Sequence, residues 1–210
     1  MRVFAIKKRA ASACCISAGG LFHLKFFMTF RSPIKHCRAC GTAVVYRLPD
    51  DGDTKQRAVC PGCHTVHYEN PLNVVGTVPA LPDGRVLLCK RNIEPRWGKW
   101  TLPAGFMELD ETTAQGAARE TDEEAGAQIE IGPLFSLLNV RRVGQVHIYY
   151  RARLLSDRFD PGHETIEARL FTEDEVPWDE IAFRTVKETL QAYFDDRRKG
   201  SFGLHCIDIE

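Results

Sequence analysis

The residues best suited to chemistry are carboxylates in the stretch GFMELDETTAQGAARETDEEAG, which runs from Gly105 to Gly126. On a helix, residues at i, i+3 and i+4 lie on one face, so Glu120, Glu123 and Glu124 would point the same way. Glutamates crowded in this manner repel each other unless cations hold them. Hard oxygen ligands suit Mg²⁺ or Mn²⁺, which bridge protein carboxylates to substrate phosphates. The pattern therefore predicts metal-assisted attack on a phosphate chain.

The residues around these glutamates predict one helix with defined ends. Thr112 and Gln115 form a capping-box pattern at its start, and Gly126 suits the left-handed conformation that ends a helix. Small residues recur at helical spacing and would pack closely against a sheet: Ala114, Ala117, Ala118, Thr121 and Ala125. By spacing alone, a solvated acidic helix is the ordinary interpretation. We favour a metal site because seven residues of this 22-residue stretch have both a required type and a required spacing, and chance seldom produces such agreement.

The whole stretch resembles the Nudix box, G-x5-E-x7-R-E-U-x-E-E-x-G-U, in which U is a large aliphatic residue. Every fixed position matches: Gly105, Glu111, Arg119, Glu120, Glu123, Glu124 and Gly126. The chain departs from the pattern at Thr121 and Ala127, and these smaller residues concern packing rather than chemistry. The resemblance implies an α/β (α+β) fold, an α/β/α sandwich with a mixed sheet, that hydrolyses a nucleoside diphosphate linked to another moiety.

A second group of candidate ligands lies upstream as two Cys-x2-Cys pairs separated by nineteen residues: Cys37, Cys40, Cys60 and Cys63. This is zinc-ribbon spacing, and four thiolates would fill the tetrahedral positions of a structural Zn²⁺. Short strands are predicted between the pairs, over 43–48 and 56–59. The alternative is two disulfides, which requires an oxidising compartment. Three nearby histidines are expected not to be ligands: His36, His64 and His67.

The ribbon and the box together resemble the zinc-ribbon Nudix enzymes over roughly residues 36–196. One branch, of the NADH pyrophosphatase and RNA-deNADding type, carries an S-Q-P-W-P-F-P run after its box. Residues 136–145 of this chain lack that run. The other branch, found in bacteria and plastids, includes hydrolases of FAD and ADP-ribose, and three runs resemble it: 87–93, 100–105 and 169–171. The expected substrate is therefore FAD or ADP-ribose, with release of AMP.

The expected metal ligands lie on and around the box helix. Glu120 and Glu124, one helical turn apart, would be the main ligands of a catalytic Mg²⁺ or Mn²⁺. By resemblance, the backbone carbonyl of Ala104 would join them. Glu164 matches a metal-binding position of the zinc-ribbon relatives, and the alternative for this residue is a plain loop carboxylate.

Other residues near the box have less direct roles. Glu123 would bind a further ion or take the proton from water, and the sequence does not decide between these roles. Glu111 is expected to orient Arg119 rather than to contact substrate. Three aromatic residues are candidates to stack adenine or flavin, although a buried position is the ordinary interpretation of the second: Trp97, Trp100 and Phe106.

The composition of the chain limits the classes of partner that it is expected to bind. Lys plus Arg equals Asp plus Glu at 28 each, so no global basic field draws the chain to nucleic acid or membrane. No apolar run approaches the roughly 20 residues that span a bilayer. We therefore expect a cytoplasmic enzyme with a small-molecule nucleotide substrate, without membrane or nucleic-acid binding, and a homodimer remains open. A catalytically inactive regulatory or binding module is the alternative class, disfavoured because every box glutamate is present.

The chain divides into four predicted segments. Residues 1–33 are expected to be a disordered or artefactual extension, although part of it superficially resembles a signal or transit peptide. The zinc ribbon covers 34–70, the Nudix domain 71–197, and a tail without readable function 198–210. Strands and a second helix are predicted within the Nudix domain at 73–81, 85–90, 128–138, 145–154, 167–171 and 184–197. Cys89 and Cys206 are both expected to be buried.

Overall fold

The computed structural model describes residues 32–210, so almost all of the predicted extension, residues 1–31, lies outside the described part. Within that part, a three-stranded sheet precedes an eight-stranded sheet that is flanked by two helices. The predicted fold class, a sandwich with a mixed sheet behind a small four-cysteine ribbon, is confirmed.

The N-terminal ribbon is an antiparallel sheet in the order β1-β2-β3 with short strands: β1 Val45–Arg47, β2 Arg57–Val59 and β3 Val66–His67. Its turn is closed by Asp53, which forms a 2.7 Å ion pair with Arg57, and by the Tyr68 hydroxyl, which donates to Asp51 at 2.7 Å. Few apolar residues of the ribbon are buried besides Ala58 and Val59. A unit with so small a core needs a cross-link for stability.

The large sheet has the strand order β10-β5-β4-β9-β8-β11, with β6 paired to β5 and β7 paired to β4. Its strands and the two helices are β4 Leu72–Ala80, β5 Val86–Arg91, β6 Trp100–Thr101, β7 Ala104–Phe106, α1 Thr113–Ala125, β8 Ile129–Val140, β9 Gln145–Leu154, β10 Thr165–Phe171, α2 Arg184–Lys199 and β11 His205–Ile209. Strands β4 and β9 run parallel, as do β8 and β11, and the other pairs are antiparallel.

The two helices cover opposite faces of this sheet. The hydroxyl of Tyr150 lies 2.6 Å from Oγ1 of Thr113 on α1. Its neighbour on β9, Tyr149, is fully buried in the core cluster that includes Val186 and Leu190 of α2. Because successive side chains of a strand point to opposite faces, α1 and α2 must lie on opposite sides. The box helix therefore has one face of the sheet as its support.

Packing between α1 and the sheet explains how the box tolerates Thr121. This side chain is fully buried, and its hydroxyl lies 2.7 Å from that of Thr77 on β4 and donates to the carbonyl of Ala117 at 2.7 Å. A buried hydroxyl with partners avoids the cost of an unpaired polar group. Ala127 is also buried and packs in a small cluster with Cys89, so both departures from the box pattern serve packing, as predicted.

The C-terminal segment 198–210, predicted as a tail, contains the last strand of the large sheet. Residues 205–209 form β11, which adds a parallel edge strand beside β8. Asp196 on α2 fixes this segment, because its carboxylate accepts hydrogen bonds from the backbone N–H of Gly203 at 2.9 Å and from the ring of His205 at 2.7 Å. A five-residue strand held by contacts distant in sequence has no strong local signal.

Other predicted elements agree with the structure to within a few residues. The largest differences are two residues, at the start of β1, the end of β8, the start of β10 and the end of α2. Cys89 is buried as expected, with 1% exposure. The expectation for Cys206 is wrong, because it lies exposed on β11. On an edge strand with one face covered, alternate residues face outward.

His147 on β9 gives the fold a specific sensitivity to acid. Burial lowers the pKa of its imidazole from 6.5 to about 4. Between these values the unfolded chain binds a proton that the folded chain does not, so stability falls as pH falls. We expect wild type to lose about 2 kcal/mol more than His147→Gln between about pH 7.5 and pH 5. Urea unfolding at both pH values measures this difference, and equal losses would contradict the prediction.

Candidate active site

The box helix begins and ends as its sequence predicts. The Thr112 hydroxyl accepts from the backbone N–H of Gln115 at 3.2 Å, and the Gln115 side chain accepts from the N–H of Thr112 at 2.8 Å. Gly126 has a φ of 57°, the left-handed conformation that terminates the helix. These caps fix the rotation of α1, and therefore the direction in which each glutamate points.

Two glycines let the carboxylates approach the backbone. A Cβ atom on Gly105 would lie 2.2 Å from the carboxylate of Glu120, and one on Gly116 would lie 2.5 Å from that of Glu111. Any side chain at either position would displace a glutamate. The predicted close approach at Gly105 is thus made by a side chain of the box itself.

Glu120 and Glu124 are the two buried glutamates of the helix, with 9% and 8% exposure. Burial raises the pKa of Glu124 to about 8, although the backbone N–H of Ala104 donates to its carboxylate at 3.1 Å. Burial also raises the pKa of Glu120. Two desolvated carboxyls beside a loop backbone form a site where a bound cation would restore the charged forms.

Arg119 holds three carboxylates together. Its guanidinium contacts Glu111 at 2.9 Å, Glu120 at 2.8 Å and Glu123 at 3.1 Å. The pairing with Arg119, aided by the backbone N–H of Glu108 at 2.7 Å, lowers the pKa of Glu111. The predicted pairing of Glu111 with Arg119 is found, and Arg119 also contacts Glu120 and Glu123.

Glu123 differs from the prediction that all three glutamates point the same way. Its side chain is 59% exposed, whereas that of Glu120 is 12% exposed. Each residue turns a helix by about 100°, so Glu124 stays within about 40° of Glu120 and Glu123 falls at the edge of that face. The result is a buried pair with one solvent-facing carboxylate beside it.

Glu164 lies on the loop before β10 and faces the same region. Its charge contributes to raising the pKa of Glu124. Its side chain is 44% exposed, and its carbonyl accepts from the backbone N–H of Asn92 at 2.8 Å. The structure thus brings Glu164 close enough to Glu124 for electrostatic interaction, and its role as a ligand stays a prediction.

The four ribbon cysteines converge on one point. Their Sγ atoms lie within 4.8 Å of one another, and three pairs are separated by 3.4 to 3.6 Å. Disulfide sulfurs are about 2.05 Å apart, so the alternative of two disulfides is wrong and the thiols are free. Among residues 32–210, these four cysteines are the only such group of candidate ligands, and it includes none of the histidines.

The surroundings of the two Cys-x2-Cys pairs favour the thiolate form of Cys40 and Cys63. The hydroxyl of Thr65, followed by its backbone, lowers the pKa of Cys63 to about 6, and Thr42 lowers the pKa of Cys40 in the same way. The backbone N–H of Cys63 points to the sulfur of Cys60 at 3.4 Å, but burial and the neighbouring thiols outweigh this contact and raise the pKa of Cys60. Thiolates are the form that binds Zn²⁺, so this donor set fits a closed structural site.

Sequence reasoning missed the role of Arg91. Its charge lowers the pKa of Glu124, and its guanidinium lies 5.1 Å above the ring of Phe183. Arg91 belongs to the run 87–93 noted above, but the sequence does not indicate its approach to Glu124, because β5 reaches the box only through the sheet. Trp100 is buried, with 7% exposure, as the ordinary interpretation held. Trp97 and Phe106 are exposed, at 61% and 53%.

Two family models match the chain. The model of the NUDIX domain matches residues 71–192, more than half of the chain, and the model described as Nudix N-terminal, a zinc ribbon, matches residues 35–69. The chain therefore belongs to the Nudix family of hydrolases, which act on acid anhydrides. No helix within residues 32–210 is long and apolar enough to cross a membrane.

Curated relatives match a little over half of the chain. A MutT-like protein of Streptomyces ambofaciens is 33% identical over 121 residues, which are 58% of this chain and 72% of that protein. The NAD-capped RNA hydrolase NudC of Vibrio vulnificus is 27% identical over 119 residues, 56% of this chain. This chain spans only 45% of the length of that hydrolase.

Solved structures extend the likeness to most of the chain. A NUDIX hydrolase from Nitrosomonas europaea is 49% identical with a TM-score of 0.78, over 84% of this chain and all of that one. An ADP-ribose pyrophosphatase from Streptococcus suis is 25% identical with a TM-score of 0.52, over 65% of this chain and 99% of that one.

Proposed function

We propose that this protein is a divalent-metal-dependent pyrophosphatase of nucleoside diphosphate derivatives, with FAD or ADP-ribose as substrate and AMP as one product. The observation that carries the proposal is the buried pair Glu120 and Glu124 beside the backbone of Ala104. No cation from the protein pairs with Glu124 directly within residues 32–210, and Arg119 reaches only Glu120 of the two. A buried carboxylate of this kind is a good ligand for a small divalent ion.

The proposal assigns metal binding and proton transfer to different residues of the site. Glu120, Glu124 and the carbonyl of Ala104 would hold Mg²⁺ or Mn²⁺, with Glu164 as a further ligand. When bound, the ion would polarise the diphosphate and lower the pKa of an attacking water. Glu123 faces solvent, which supports its proposed role of binding a second ion or accepting the proton of that water.

Arg119 and Glu111 act through the other residues of the site. Arg119 fixes the carboxylate of Glu120, and Glu111 orients Arg119 with two contacts, at 2.9 and 3.0 Å. Gly105 leaves room for Glu120, and Gly126 ends the helix at the required residue. We therefore include these box positions in the site as positioning residues.

The ribbon is proposed to bind one structural Zn²⁺ through Cys37, Cys40, Cys60 and Cys63. Four ligands close the tetrahedral shell, so no position remains for substrate. Free thiols at this spacing are stable in a reducing compartment, which supports a cytoplasmic location. We retain 34–70 as the ribbon and 71–197 as the hydrolase domain, with 198–210 contributing β11 to the same sheet.

One alternative activity would involve a different substrate. The relatives named NAD-capped RNA hydrolase favour an NADH pyrophosphatase or RNA-deNADding activity. Two observations weigh against it: residues 136–145 lack the S-Q-P-W-P-F-P run, and the S. suis neighbour is an ADP-ribose pyrophosphatase. An inactive binding module is disfavoured because the box glutamates are present and supported by their helix caps.

A substrate screen tests the proposal. With Mg²⁺ or Mn²⁺, the purified protein is expected to release AMP from FAD or ADP-ribose with a kcat/KM at least about tenfold above that for NADH, a difference of about 1.4 kcal/mol in transition-state binding. NAD-capped RNA, diadenosine polyphosphates and deoxynucleoside triphosphates complete the panel. A kcat/KM for NADH or NAD-capped RNA tenfold above that for FAD and ADP-ribose would contradict the proposed substrate and support the NADH pyrophosphatase or RNA-deNADding activity.

A further inference from the structure

Trp97 is the only one of the three tryptophans that presents its ring to solvent. Trp100 packs edge-on against Phe171 at 4.8 Å, and Trp178 packs against the main core. Trp97 is 61% exposed, yet its orientation is fixed, because its indole N–H donates to the side-chain oxygen of Asn92 at 3.3 Å. An anchored aromatic ring with accessible faces is a surface on which another ring can stack.

The loop between β5 and β6 is ordered by its own hydrogen bonds. The backbone N–H of Arg91 donates to the carbonyl of Lys99 at 2.9 Å, and that of Gly98 donates to the carbonyl of Arg91 at 2.8 Å. The side chain of Arg91 donates to the carbonyl of Pro95 at 3.0 Å. The backbone of the loop that carries Trp97 is therefore ordered before a ligand arrives, which reduces the entropy cost of binding.

This loop is joined directly to the candidate metal site. Asn92, which accepts from Trp97, donates through its backbone to the carbonyl of Glu164 at 2.8 Å and through its side chain to that of His163 at 2.9 Å. One residue thus contacts both the indole and the segment that carries Glu164. Arg91, at the start of the loop, places a positive charge near Glu124.

We propose that Trp97, anchored by Asn92, is the specificity-determining residue that stacks the aromatic ring of the substrate, adenine or flavin. This inference rests on the proposed function, because it assigns a subsite to a substrate whose diphosphate lies at Glu120 and Glu124. A diphosphate held there, beside the cation of Arg91, leaves its attached ring system to extend over the neighbouring loop. Stacking on one aromatic side chain changes binding by about tenfold or more.

Steady-state kinetics with Trp97→Ala and Trp97→Phe test the subsite. Trp97→Ala is expected to raise KM for ADP-ribose or FAD by about tenfold, with kcat within about twofold, because stacking is uniform binding that does not change during the reaction. Trp97→Phe retains a ring and should restore most of the affinity. A purely structural role of the indole would give no such rescue, since phenylalanine cannot donate to Asn92.

Calorimetric measurement of product binding to the Mg²⁺-loaded protein distinguishes whether adenine or flavin stacks on Trp97. Weaker binding of AMP to Trp97→Ala than to wild type indicates that adenine stacks on Trp97, and weaker binding of FMN indicates that flavin does. Inorganic pyrophosphate has no ring and should bind equally to wild type and to Trp97→Ala. Unchanged binding of AMP and FMN overturns the inference, as does a loss of affinity confined to Phe106→Ala. If wild type hydrolyses none of the substrates, the proposed function fails, whereas AMP and FMN binding still decides the role of Trp97.

Discussion

Replacing Glu124 by glutamine is expected to lower kcat/KM by about 100-fold or more at saturating Mg²⁺, because it removes a metal ligand that stabilises charge in the transition state. The change keeps the size of the side chain and its contact with the backbone N–H of Ala104. The same substitution is expected to raise the melting temperature of the protein without added Mg²⁺ or Mn²⁺. Burial raises the pKa of Glu124 to about 8, and a neutral amide avoids the cost of charging this group.

The pH dependence of that stabilisation follows from the direction of the shift. Between the unfolded pKa of 4.5 and the folded pKa of about 8, the folded protein binds more protons, so wild type loses stability as pH rises through this window. Glu124→Gln lacks this loss, so its gain in stability over wild type should grow up to about pH 8 and remain at its maximum above that pH. Glu188→Gln on α2 is the matched control, since it removes one carboxylate from a surface pair. Turnover within about twofold of wild type by Glu124→Gln would refute the metal-site assignment.

Loss of one ribbon cysteine is expected to have the largest effect on stability. Cys60→Ser should lower the free energy of unfolding of the ribbon by several kcal/mol, because the ribbon has little apolar core and depends on its metal. Its kcat should stay within about threefold of wild type, since the closed zinc site is separate from the glutamates. Elemental analysis should give one zinc per chain for wild type and much less for the variant.

Cys206→Ser is the control for this experiment. Cys206 is free and exposed on β11, outside the cluster, so its replacement should change stability by less than about 0.5 kcal/mol. Removing zinc from wild type with a strong chelator should reproduce the effect of Cys60→Ser. A wild-type protein without zinc and with its four ribbon cysteines oxidised would contradict both the ribbon and the reducing compartment.

The sequence by itself determined the local features of both sites. The caps at Thr112 and Gly126, the pairing of Arg119 with the box carboxylates and the two cysteine knuckles are all found as predicted. Each depends on residues within a few positions of one another, or on a fixed spacing that one turn or one helix converts into geometry. The strand predictions likewise located five of the eight strands of the large sheet: β4, β5, β8, β9 and β10.

Tertiary structure decided what depends on residues distant in sequence. The burial that separates Glu120 and Glu124 from the exposed Glu123 comes from the loop and sheet against which α1 packs. The approach of Arg91 to Glu124 requires the sheet to bring β5 beside the box, and β11 exists only because β8 offers it an edge. Side-chain spacing fixes direction on one element, whereas burial and electrostatic environment are set by the neighbouring elements, which a local pattern does not specify.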